Sequence, residues 1–223
     1  MNIENSTYTT RAQTALATNN VLRNTYMLLS ATLLFSAAIA AVTAAMHLPY
    51  PGMIITLVGY FGLLFAVNRT ANSGWGLVSV FALTGFMGYT LGPIIDVYLT
   101  HFSNGAELVT MALGGTGTIF VGMSAYALMS GKRFNQWAGM LTIGILVAFV
   151  MGIIAVVFSI PALSLAVSVM FVLLMSGLIV YQTSEIVHGG ETNYILATVT
   201  LFVTVFNLFL SLLQILGVFQ GEE

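Results

Sequence analysis

Seven long apolar runs, separated by short polar breaks, constrain this chain more than any other feature. They lie at roughly 25–46, 52–67, 76–98, 106–129, 137–159, 162–183 and 194–218. The intervening stretches include "HLPYPG", "NRTANSGW", "THFSNGAE", "SGKRFNQW" and "YQTSEIVHGGETNYI". A spanning helix needs about 20 mostly apolar residues, and roughly 17 to 25 is workable. The second run is the short one. In lipid each run must satisfy its own backbone hydrogen bonds, which a helix does. Charged residues are 5% of the chain, against about 25% in an ordinary soluble domain. So little charge cannot cover a water-facing surface, and the mean hydropathy of +0.99 agrees. The expected fold is all-α: a polytopic bundle of seven transmembrane helices at 23–223, preceded by a flexible tail at 1–22. Its surroundings are the lipid bilayer.

The five basic residues orient the bundle. They are Arg11, Arg23, Arg69, Lys132 and Arg133. Cytoplasmic loops collect Lys and Arg. With a cytoplasmic N-terminus, all five fall inside. Asp96, Glu107, Glu222 and Glu223 fall outside, and the C-terminus is periplasmic. The first 24 residues hold no apolar core, so the first run is expected to act as an uncleaved anchor. A net charge of −2 implies no nucleic-acid partner.

Several chemistries are excluded on residues. There is no cysteine, hence no disulfide framework or thiolate. His47 and His101 fall on one side of the membrane and His188 on the other, and H-E-x-x-H is absent. The "MSGK" and "MSGL" serines lack the G-x-S-G of a rhomboid-type protease. The single lysine, Lys132, lies in a loop and cannot form a retinal Schiff base. No ATP motif and no internal repeat are present. No enzyme, cofactor or metal site is expected, and the sequence sets no oligomeric state. Gly88-x-x-x-Gly92 permits close helix approach, and ordinary bundle packing is preferred to a dimer motif.

The remaining polar groups are few. Gln182, Glu185 and His188 share one helical face at the cytoplasmic end of the sixth run. Thr204 and Asn207 share a face of the seventh. Asn207 lies about 20 Å along that helix at 1.5 Å per residue, deep in the membrane, so its amide needs a partner from another helix or water. These five are the candidate gate or polar pathway. Pro93 is expected to break the third helix, with Asp96 in an interfacial turn. Gly189-Gly190 is expected to turn the chain after the sixth.

The stretches "YQTSEIVHGGETNYILATVTLFVTVFNLFLSLLQILG", "TGFMGYTLGPIID" and "NVLRNTYMLLSATLLFSA" resemble the Bax inhibitor family of membrane proteins, most closely its bacterial YccA-type branch. The likeness runs from about Val21 to Gly217. It implies an inner-membrane protein that binds and restrains FtsH, an ATP-dependent membrane protease, through its cytoplasmic tail. Asn2, Arg11 and Asn19 are the tail residues taken to represent that contact. Other members imply an alternative, a pH-sensitive calcium leak channel gated by an aspartate pair. Here the corresponding positions are Gln182 and Thr204, which cannot ionise. Glu185, one turn beyond Gln182, is the nearest carboxylate.

Overall fold

The computed structural model describes the backbone of residues 3–220 and the side chains of 18–220. The seven expected runs form seven helices: α1 (Ile3–Ala45), α2 (Met53–Thr70), α3 (Trp75–His101), α4 (Gly105–Ser130), α5 (Trp137–Val157), α6 (Pro161–Val187) and α7 (Tyr194–Gln220). Each is long and apolar enough to cross a membrane, the spanning part of α1 being Thr18–Ala45. Even α2, with 18 residues, extends about 27 Å at 1.5 Å per residue, close to the hydrocarbon thickness of about 30 Å.

The backbone of α1 is helical from Ile3. Residues 3–24 contain neither glycine nor proline, and nothing covalent stops a helix nucleated in the membrane from propagating back through them. Pro93, expected to break the third helix, lies buried inside α3, which continues to His101. Proline removes one intrahelical bond, and membrane helices tolerate that loss when tightly packed. Asp96 consequently sits in a helical turn of α3.

The seventh helix is the hub. It packs on α6, α4, α1 and α3, and 61% of its most apolar window is buried, against 6% for α2 and 17% for α5. Around it the tightest pair is α1 on α3, which requires small residues. A methyl on Gly88 would lie 3.0 Å from the Ser36 Cα, and one on Gly92 would lie 2.8 Å from the Ala40 carbonyl oxygen. The Gly88-x-x-x-Gly92 pattern therefore serves packing within the bundle. On α4 the reverse holds: Gly114, Gly117 and Gly122 face open space.

The loops gather at two ends. Asn193 bonds Ala71 and Asn72, and Arg133 bonds His188, so the α2–α3, α4–α5 and α6–α7 loops meet at one end. Arg69, Lys132 and Arg133 all belong to this basic end. At the opposite end the His47 ring meets Asp96 at 2.9 Å, and Asn104 bonds Gln220.

Candidate functional site

The polar stretch after α6 forms a knot at the basic end. Tyr181 to Val187 continue α6, and the turn itself is His188–Asn193. Gly189 adopts φ +73°, a conformation favouring glycine. Gly190 has the Glu185 carboxylate lying over it, where a side chain would clash. The Glu185 carbonyl accepts the Gly190 N–H at 2.8 Å and the Glu191 N–H at 3.2 Å. Glu191 Oε1 accepts the Asn193 N–H at 2.7 Å.

Asn193 works in two directions. Its Oδ1 accepts the Ile195 N–H at 2.9 Å and so caps α7. Its Nδ2 donates to the Ala71 carbonyl at 3.2 Å and to Asn72 Oδ1 at 2.9 Å. On the other side, Ser184 Oγ donates to the Lys132 carbonyl at 3.1 Å and accepts the Phe134 N–H at 3.4 Å. Arg133 Nη2 donates to the His188 carbonyl at 3.4 Å. His188 Nδ1 lies 2.9 Å from the Ser184 carbonyl, which sets the Nδ1–H tautomer. Tyr26 and Thr183 hydroxyls meet at 3.2 Å, tying α1 to α6. The knot thus fastens α1, α2, α4 and α7 to the end of α6 by short polar contacts.

A second feature is a half-enclosed cavity of about 660 Å³ among α2, α3, α5, α6 and α7. Its α7 wall runs from Val199 to Leu210 and includes Thr200, Val203, Thr204 and Asn207. The candidate pathway residues divide between the two features. Thr204 and Asn207 line the cavity, while Gln182, Glu185 and His188 are not among its walls. Gln182 is buried near the end of α6, and Glu185 and His188 are half-buried in the knot. Asn207 also finds a different partner from the one expected. Its Nδ2 donates to the Val203 carbonyl of its own helix at 2.8 Å, and Thr204 Oγ1 donates likewise to Thr200 at 2.7 Å. A helical backbone carbonyl four residues back is the nearest acceptor for such short side chains.

Among the tail residues, Asn19 is exposed on α1. Asn2 and the Arg11 side chain lie outside the described residues.

Reading the sequence missed Asn193, Ser184, and the pairing of His47 with Asp96. Asn193 did carry a signal: an Asn directly before an apolar run is a helix N-cap pattern. The other contacts join residues 49 to 52 positions apart and have no local signature.

Residues 18–221 match the family model described as inhibitor of apoptosis-promoting Bax1. The chain belongs to the Bax inhibitor family. Its similarity to curated relatives covers most or all of the chain. It is 51% identical over 203 residues to a protein of Escherichia coli (strain K12) named modulator of FtsH protease YccA, covering 91% of each chain. A protein of Escherichia coli O6:H1 named inner membrane protein YccA aligns equally well. A membrane protein of Vibrio cholerae is 39% identical over 224 residues, covering 100% of both. With seven helices fit to span a bilayer and relatives so named, this Bax inhibitor family member is a multi-pass inner-membrane protein.

Proposed function

We propose that the protein modulates the membrane protease FtsH by binding it as a slowly processed client. The observation that carries this reading is the 51% identity, over 91% of both chains, to a relative named as a modulator of that protease. The N-terminus faces the cytoplasm in this reading, because Arg69, Lys132 and Arg133 share one end and Lys and Arg collect inside. Residues 1–22 are the handle. The family match starts at residue 18, so most of the handle lies outside the conserved fold of the family model.

The fold supplies the resistance. An ATP-driven protease pulling from the N-terminus must first strip α1 from α3. There the Gly88 and Gly92 contacts place backbones in direct touch. It must next break the Tyr26–Thr183 contact and unfasten the knot that joins the loops. Extraction slows at each, and the client occupies the protease meanwhile. Gln182 and Thr204 supply no carboxylate pair, so the proposed modulator needs no proton-gated pore.

The test is a deletion of residues 2–17 with co-purification of FtsH. The truncated protein is expected to keep its fold, lose FtsH from the purified complex and live longer in cells with active protease. Equal FtsH-dependent decay of truncated and full-length protein would refute the handle. Failure of the full-length protein to retain FtsH would refute the function.

A further inference from the structure

We propose that the cavity among α2, α3, α5, α6 and α7 receives one acyl chain of a membrane phospholipid, entering sideways between α2 and α5. Its depth is right. The α7 wall runs from Val199 to Leu210, about 8 to 24 Å along the helix from Tyr194, within a hydrocarbon layer of about 30 Å. Its mouth faces lipid. α2 packs on α3 and α5 packs on α6, and between them the Phe61 and Phe149 rings meet edge to face with centroids 6.1 Å apart. The rim residues Phe61 and Leu146 are 51% and 64% exposed. Acyl chains are the medium on that side of the rim.

The chemistry of the walls selects the occupant. The lining contains no charged residue, and Phe, Met, Leu, Ile and Val dominate it. Thr90, Thr142 and Thr204 turn their hydroxyls back to a carbonyl of their own helix, Asn207 Nδ2 does likewise, and the Tyr60 and Thr200 hydroxyls are isolated polar points on an otherwise apolar wall. The interior therefore offers little to a hydrated ion and suits methylene groups. A dry apolar cavity is the normal state for such walls when water is the only candidate. Thr56, one turn into α2 at the end away from the basic loops, marks the headgroup end of the cavity, and the acyl chain runs inward from there past Val203.

The test uses the full-length protein in vesicles of phosphatidylethanolamine and phosphatidylglycerol doped with a phospholipid carrying a diazirine in mid-chain. After irradiation, adducts are mapped by mass spectrometry. Adducts are expected on the inner-wall residues Met175 and Val203 as well as on the exposed Val58 and Ile143. Leu146→Trp, which plugs the rim, should abolish the inner-wall adducts and leave the exposed ones. Leu57→Phe, a smaller change in volume on the α2 wall, should reduce inner-wall labelling and serves if the bulkier variant fails to fold. Labelling confined to exposed residues, or inner-wall labelling unchanged by both variants, overturns the proposal. No protease is present, so the result is independent of the modulator reading.

Discussion

Replacing Asn193 by alanine removes four side-chain hydrogen bonds at one position. The cap on α7, from the Ile195 N–H at 2.9 Å and the Leu196 N–H at 3.4 Å, is one half of the loss. Truncating an N-cap costs about 1 kcal/mol. The two Nδ2 bonds, to Ala71 at 3.2 Å and Asn72 at 2.9 Å, lie at the membrane surface where water replaces part of each. Together they contribute about 1 kcal/mol, at the low end for neutral pairs. Asn193→Ala is therefore expected to destabilise by about 2 kcal/mol. Asn193→Asp separates the contributions. It keeps the cap and favours the helix N-terminus by its charge, but it loses both donors and sets a carboxylate against two oxygens. About half of the loss should remain. Equilibrium unfolding in mixed detergent–dodecyl sulfate micelles, followed by fluorescence of Trp75 and Trp137, measures both variants. Adding Asn72→Ala completes a double-mutant cycle for the clasp. Wild-type stability in Asn193→Ala would refute the knot as a structural device. Full loss in Asn193→Asp would show that the clasp, and not the cap, holds α7.

Three further outcomes are expected. A reporter fused after Glu223 should be active only on the periplasmic side; cytoplasmic activity would invert the orientation argument. Gly92→Leu should abolish folded yield, because Thr43 and the Ala40 carbonyl already fill its space, whereas Gly117→Leu, facing open space, should leave monodisperse protein by gel filtration. Acidification near neutral pH should induce little calcium flux in liposomes, since Gln182 and Thr204 cannot share a proton; strong acid-gated flux lost in Glu185→Gln would make Glu185 the sensor instead.

Helix number and class were legible because lipid leaves few alternatives: a run of about 20 apolar residues has to be a helix, whatever its neighbours. The alternation of basic loops was legible for the same reason, since charge is confined to the ends. The family, too, could be read, from the residues around "HGGETNYI". The termini of elements were less so. Pro93 reads locally as a stop, yet α3 passes through it because packing outweighs one missing hydrogen bond. The glycines were ambiguous in the chain and distinct in space: Gly88 meets Ser36, while Gly117 meets nothing. The five polar candidates read as one pathway from two helical faces and from the resemblance, although Asn207 already reads as deeper than Gln182 and Glu185. The tertiary structure puts Thr204 and Asn207 on the cavity wall and leaves Gln182, Glu185 and His188 out of it. That cavity has no signature along the chain. It arises where α2 and α5, packed on α3 and α6, stand apart from α7, and the width of such a gap depends on contacts between helices, not on the sequence of any one of them.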